Sequence, residues 1–330
     1  MKKIISIIMC SLMTLLCSFN ISCKRTDDNV IKLSEVTHST FYAPLYVAIN
    51  MGFFEEEGLQ IELTSGEGAD KVMASITSKS VDVGLMGPEA VIYCHINNQK
   101  DYPVVFGQLT KRDGAFLVSK VNYENFDWSM VKGKRLLAGR KGGVPAMTLE
   151  YVLNQNNVQT NELNFDTSVS FANMAGVFQA DDSVDFTTLF EPTASEVVAS
   201  GKGHIVASIG IDSGEIPYTA FATSKSFLKE KPEKVEKFLK AIIKGYEYVK
   251  NNDSNVVALA LSPSFPGISE QSLKTTIESY LAIDAWSSTP VMSEESFNRL
   301  QDVMENAGEL NQRVEFSKIV DNTFAIEVSQ

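Results

Sequence analysis

Two glutamates hold equivalent places in two versions of one phrase, and paired carboxylates of that kind could act as acid and base. Ser80-Val81-Asp82-Val83-Gly84-Leu85-Met86-Gly87-Pro88-Glu89-Ala90 is echoed by Ser183-Val184-Asp185-Phe186-Thr187-Thr188-Leu189-Phe190-Glu191-Pro192-Thr193-Ala194. Neither Glu89 nor Glu191 has a matched nucleophile or proton-transfer partner nearby in sequence, and a glutamate in a helix's first turn is stabilising by itself. The pair therefore reads as a positioning feature of two facing loops, with catalysis not expected. A second candidate is Gly142-Gly143 before Pro145. Glycine lets backbone amides approach a ligand, and a helix N-terminus favours an anion such as a sulfonate, carboxylate or phosphate. A plain turn is equally compatible, because the full dinucleotide glycine spacing and the Gly-Lys-Ser/Thr of a phosphate loop are both missing. His38, His95 and His204 are too scattered for a recognisable metal motif, and Cys94 in the apolar stretch Ala90 to Ile96 reads as a buried small hydrophobe.

The elements that must position these residues alternate between strand and helix. Strands are expected at Ile31 to Val36, Leu59 to Leu63 and Val81 to Met86, then again at Arg135 to Ala138, Leu163 to Phe165 and Val184 to Leu189. Helices start near Ser39 or Thr40, where Pro44 suits a first turn, and again at Pro145. This grammar predicts an α/β chain of two lobes with parallel sheets. Ala115 to Val118 and Tyr218 to Ala222 are apolar runs that could cross between the lobes as a two-stranded hinge. The expected division is 31–117 plus 220–330 for the first lobe, including a helical tail at Pro232 to Asn251, Ser269 to Leu281 and Ser293 to Asn306, and 118–219 for the second.

In such sheets ligands bind beyond the carboxyl ends of the strands. That rule selects His38, Ser39, Thr40, Tyr42, Gly68, Gly87, Pro88 and Glu89 from the first lobe. It selects Arg140, Gly142, Gly143 and Glu191 from the second, with Arg112, Asp113 and Tyr218 near the crossings. Aromatic walls with few polar fixings suit a small planar organic ligand. Phe41 is equally readable as packing between helix and sheet, Tyr46 reads chiefly as such packing, and Tyr42 is the better wall residue.

Composition limits the classes. The 330 residues carry a formal charge of −12, and 44% of them are apolar. Lys2 and Lys3 followed by the apolar run Ile4 to Phe19 read as an export signal over 1–22, whose removal would take the charge to −14. An acidic body argues against nucleic acid and anionic membrane surfaces as partners. Ser22-Cys23 resembles a bacterial lipobox, although Asn20 departs from the pattern. Lipidated Cys23 would then anchor the chain through a polar leash, 23–30, and leave a monomeric body outside the cytoplasm as periplasmic or surface lipoprotein; an uncleaved anchor or plain release are the other outcomes.

The stretch Ser39-Thr40-Phe41-Tyr42-Ala43-Pro44-Leu45-Tyr46-Val47-Ala48, with Met51-Gly52-Phe53-Phe54-Glu55-Glu56-Glu57-Gly58-Leu59-Gln60-Ile61, resembles the opening signature of ABC-importer solute-binding proteins for nitrate, sulfonates, taurine and the thiamine pyrimidine precursor. Gly68-Ala69-Asp70 to Ala74 and Val81 to Gly84 also match, and the resemblance extends from Ile31 to Phe221. It implies a type II periplasmic-binding fold, a ligand clamped between lobes, and partners in a permease and its ATPase. It also implies a eukaryotic branch of pyridoxal-phosphate-dependent enzymes with a cysteine-rich motif that this chain lacks. The expectation is thus a receptor without cofactor or metal for a pyrimidine-like or other aromatic nutrient. A sulfonate, taurine or nitrate receptor is the alternative, and a pyrimidine-synthase-like enzyme or a surface lipoprotein outside transport are alternatives of other classes.

Overall fold

Short runs of β-branched and aromatic residues form ten strands among the described residues of the computed structural model, which describes residues 29–97 and 102–330. The expected leader, Cys23 and all but the end of the leash lie outside the described residues. No described helix is long and apolar enough to cross a membrane. The first stretch runs β1 (Val30–Glu35), α1 (Ala43–Asn50), α2 (Phe53–Glu56), β2 (Gln60–Ser65), α3 (Ala69–Thr77), β3 (Val83–Met86), α4 (Glu89–Ile96) and β4 (Val104–Thr110). The second repeats the order with β5 (Phe116–Ser119), β6 (Arg135–Leu137), α5 (Val144–Gln155), β7 (Asn164–Asp166), α6 (Met174–Ala180), β8 (Phe186–Leu189), α7 (Thr193–Ala199), β9 (His204–Ser208) and α8 (Ile209–Ser213). The chain then adds β10 (Thr219–Thr223), followed by α9 (Lys225–Glu230), α10 (Pro232–Asn251), α11 (Ser254–Leu261), α12 (Glu270–Ala282), α13 (Glu294–Asn306), α14 (Phe316–Ile319) and α15 (Thr323–Val328).

The strands make two five-stranded sheets of matching order, β2-β1-β3-β10-β4 and β7-β6-β8-β5-β9. In each, the echoed strand is central: β3 pairs in parallel with β1, and β8 pairs in parallel with β6. The expectation of purely parallel sheets is corrected, since β10 runs antiparallel to β3 and β4, and β5 runs antiparallel to β8 and β9. Each antiparallel strand is the one the chain forms on arriving from the other sheet. The expected crossings Ala115 to Val118 and Tyr218 to Ala222 fall mostly within these two strands, so the passages between sheets are 111–115 and 214–218. The two passages are joined by backbone bonds from Ile216 to the Lys111 carbonyl (2.9 Å) and from Tyr218 to the Thr110 carbonyl (3.2 Å).

Alternation decides which core each strand side joins. Within β5, Leu117 enters a cluster with Leu136, Leu149, Val152 and Phe186, while Phe116 and Val118 enter a larger one that includes Ile31, Leu33, Leu85, Phe106 and Phe221. In α10, Val235, Phe238, Leu239, Ile242, Tyr246 and Val249 recur at helical spacing and are buried, which lays this helix on α1. The tail expected with the first sheet also reaches the second, because α12 packs on α7 and α13 on α5.

Candidate functional site

Each echoed strand ends in a loop and a helix start, but the two glutamates meet different fates. Glu191 is 3% exposed, and its carboxylate accepts from the Ser195 amide (3.0 Å), the Ser195 hydroxyl (2.8 Å) and the Ser279 hydroxyl (2.9 Å). Its amide donates to the Tyr280 hydroxyl at 3.0 Å, and its carbonyl accepts from Thr40 Oγ1 at 3.0 Å. Glu191 therefore ties the second sheet's loop to the turn after β1 and to α12. Its carboxylate oxygens are already committed within the protein.

Glu89 is only 7% exposed, yet its Oε2 has no hydrogen-bond partner. Burial pushes its carboxyl up to about 7, with the Glu89 and Ala90 amides and Arg140 offsetting only part of that cost. Gly87 leaves the room this side chain needs, since a Cβ there would lie 1.9 Å from Glu89 Oε2. Asp113, on the first passage between sheets, is fully buried. Its Oδ1 accepts from the Ala115 amide at 2.7 Å, while Oδ2 has no partner. Burial pushes this carboxyl up to about 8, against the Ala115 amide and the nearby Tyr218 hydroxyl. Tyr218 is itself 6% exposed and its hydroxyl is unpartnered, so the two groups approach without meeting hydrogen-bond geometry. Tyr218 and Tyr42 both feel the Glu89 charge, and burial raises both phenols well above their usual range.

Around these groups stands an aromatic wall. The Phe41 ring lies 5.3 Å from Phe190, 5.8 Å from Tyr218, 5.9 Å from Tyr42 and 5.0 Å from Tyr280 between centroids. Trp286 fixes the backbone behind it by donating from Nε1 to the Phe41 carbonyl at 2.8 Å. Rings at these separations and tilts are in favourable edge and offset arrangements. They also exclude water, which raises the cost of any unpaired polar atom among them.

A pocket of about 710 Å³ opens at Glu89. Asp70, Met73 and Thr77 of α3 and Tyr93 of α4 form one side, and Arg140, Lys141 and Gly142 with Glu309 form the other. Tyr93 bridges the two sides by donating to Met147 Sδ at 3.8 Å. Arg140 and Lys141 have no ion-pair partner among the described residues.

The structure thus gathers Tyr42, Glu89, Asp113 and Tyr218 in one electrostatic neighbourhood, with Arg140 and Gly142 at the pocket beside it. Gly143 and Pro88 serve as the residues preceding α5 and α4, and Gly68 precedes α3 with φ of 144°. Ser39 caps a short turn by accepting from the Phe41 amide at 3.2 Å. His38 belongs to another network: Nδ1 lies 2.9 Å from Glu35 Oε1, Nε2 donates to the Ser264 carbonyl at 2.9 Å, and the ring packs on Phe265. Tyr46 donates to Glu35 in that same network and so packs helix against sheet. Arg112 is used at the passage, where Nη1 donates to the Gly210 carbonyl at 3.2 Å and Nη2 lies 3.7 Å from Glu215. Tyr93, Ser279, Tyr280, Trp286 and Glu309 were not selected from sequence. Four of the five come from the tail, whose approach to the second sheet carries no local signal.

Two α/β units of matching strand order with strand-end loops facing one another define the periplasmic-binding-protein fold. The alkanesulfonate-binding protein SsuA of Xanthomonas axonopodis pv. citri, bound to MOPS, superposes with a TM-score of 0.71 at 15% identity, covering 89% of this chain and 99% of that one. Residues 39–255 match the family described as NMT1/THI5 like, and the chain belongs to that family. YtlA of Bacillus subtilis (strain 168), named as a candidate binding protein, is 39% identical over 310 residues, which is 93% of this chain and 92% of that protein. The formylaminopyrimidine-binding protein of Halalkalibacterium halodurans is 22% identical over 340 residues, covering 91% of this chain and 99% of that protein.

Proposed function

We propose that this chain is the solute-binding protein of an ABC importer and that its solute is a donor-rich heteroaromatic of the aminopyrimidine kind. The class follows the family and the binding-protein relatives. The observation that carries the ligand is the set of three buried, unpartnered polar atoms, Glu89 Oε2, Asp113 Oδ2 and Tyr218 Oη, beside the aromatic wall. Two of them are carboxyl oxygens. An unmet acceptor in a dry site costs about 1–3 kcal/mol, and a ring carrying an amino group beside a ring nitrogen can meet a carboxyl with two parallel hydrogen bonds. A sulfonate or nitrate offers acceptors alone, so it leaves a carboxyl's acceptor oxygen unmet and is repelled whenever that carboxyl ionises. A relative named for binding formylaminopyrimidine supports the same direction.

Capture proceeds by population shift. Residues 31–117 with 220–330 and residues 118–219 act as two lobes, joined through the passages at 111–115 and 214–218. A ligand touching Glu89 from one and Asp113 or Tyr218 beside the passages favours the closed form, whose surface a permease recognises. The chain itself makes and breaks no bond. Export by the leader and anchoring through a lipid on Cys23 would keep the receptor next to that permease.

A sulfonate receptor is the second reading, favoured by Arg140 and Lys141 at the pocket. Thermal unfolding with 4-amino-2-methylpyrimidines, taurine, methanesulfonate and nitrate separates the two, because a ligand bound only by the native state adds about 2.7 kcal/mol at a hundred times its Kd. The aminopyrimidines alone should raise the Tm. Stabilisation by taurine or methanesulfonate alone would overturn the heteroaromatic reading, and a new lysine-linked visible absorbance on adding pyridoxal phosphate would favour the enzyme class.

A further inference from the structure

The second sheet carries a place well suited to a small anion, and the chain puts one of its own carboxylates there. Before α5, Gly142 adopts φ of +72° and the Gly143 amide turns back to the Arg140 carbonyl at 3.2 Å. The twelve-residue helix that follows has no side-chain cap at its N-terminus. Arg140 and Lys141 flank it without an ion-pair partner among the described residues. An uncapped helix start, a positive-φ glycine and two cations together attract negative charge.

Glu309 answers that field. Its carboxylate carbon and oxygens lie 3.5 to 3.6 Å from where a Cβ on Gly142 would stand, and it lines the same pocket as Arg140, Lys141 and Glu89. Its position is held from behind. The Glu309 amide donates to the Met304 carbonyl at 2.9 Å, closing α13, and Asn154 of α5 donates to Asn306 at 2.6 Å, tying that helix end to the second sheet's helix. The charge is felt on both sides of the pocket, by Tyr93 of α4 and by Glu150 of α5. The buried Glu89, whose Oε2 has no partner, lines the same pocket.

We propose that Glu309 is a specificity-determining residue: an internal anion that occupies the seat at Gly142 and so excludes free anions from the ligand site. This deepens the heteroaromatic reading and rests on the pocket at Glu89 being the ligand's place. A carboxylate carried by the tail adds negative charge to the pocket that Arg140 and Lys141 line, without pairing with either. A sulfonate or phosphate must then displace it or suffer its repulsion. A neutral ring that offers an amino donor meets no such repulsion.

The test compares the wild-type chain with Glu309→Gln and Glu309→Ala by calorimetric titration of methanesulfonate, inorganic phosphate and 4-aminopyrimidine at low ionic strength. Both variants should bind methanesulfonate and phosphate at least tenfold more tightly than wild type and leave 4-aminopyrimidine affinity within threefold. Adding Arg140→Ala and Lys141→Ala to Glu309→Gln should abolish the gain. Equal anion affinity in wild type and variants, whether tight or absent, would overturn the proposal, as would a gain that survives loss of both cations. Failure of wild type to bind 4-aminopyrimidine counts against the heteroaromatic reading only, since the anion comparison stands without it.

Discussion

Glu89 and Asp113 are carboxyls that the fold keeps protonated where exposed carboxyls are ionised. Each has its folded pKa raised above its unfolded value, to about 7 and about 8. The folded state therefore holds more protons than the unfolded chain in the window from about pH 4 to 8, and stability must fall as pH rises through it. For Glu89 the upper limit of that loss is about 3 kcal/mol. The ligand-free protein should show a Tm that declines from pH 5 to 9, and Glu89→Gln should flatten the part of the decline below about pH 7. Unchanged slopes in the variant would show that Glu89 ionises freely. Glu191 plays a packing role, its carboxylate accepting from the Ser195 amide and hydroxyl and from the Ser279 hydroxyl. Glu191→Ala leaves the Ser195 and Ser279 donors without their acceptor and should cost about 2–4 kcal/mol in urea unfolding. Any fall in ligand affinity should then track weaker closure. A loss of affinity with no loss of stability would instead make Glu191 a ligand contact.

At the scale of elements, the packing of α10 on α1 depends on Gly245, where a Cβ would lie 2.2 Å from the Pro44 carbonyl oxygen. That neighbour is backbone and cannot swing aside. Gly245→Ala should therefore destabilise by about 2–4 kcal/mol in spite of alanine's better helix propensity, and a neutral or stabilising result would mean that the helices separate easily. Helix boundaries of this kind were legible in sequence. Pro232 and Asn251 bound α10 as expected, because a proline start and an amphipathic period are local signals. The strands β5 and β10 were visible as apolar runs but not as strands of the opposite sheets. Both are buried on their two faces, so their residues show no alternation to separate a central strand from an extended connector. The strand-end loops were legible because strands running into helices mark them. Their individual roles were not: His38 is engaged by Glu35 and Ser264, and Glu191 by Ser279 and Tyr280, through contacts between distant parts of the chain.

For the whole molecule, the contacts that join the two sheets sit where a ligand would bind: Thr40 to Glu191, Phe41 to Phe190 and Tyr93 to Met147. The tail adds Ser279, Tyr280 and Asn306 to that set, so the closing proposed above would engage α12 and α13 as well as the two passages. Ligand binding should reduce the radius of gyration in small-angle scattering and slow amide exchange at 111–115 and 214–218. An unchanged scattering profile with saturating ligand would mean that the free chain is already closed.

If the unpartnered carboxyl oxygens of Glu89 and Asp113 select an amino-bearing ring, calorimetric titration of 4-aminopyrimidine into wild type, Glu89→Gln and Asp113→Asn shows it most directly. Wild type should bind, and each variant should lose at least tenfold, equivalent to about 1.4 kcal/mol or more apiece. Equal affinity in all three, or a wild-type chain that binds methanesulfonate and leaves the aminopyrimidine free, would contradict it.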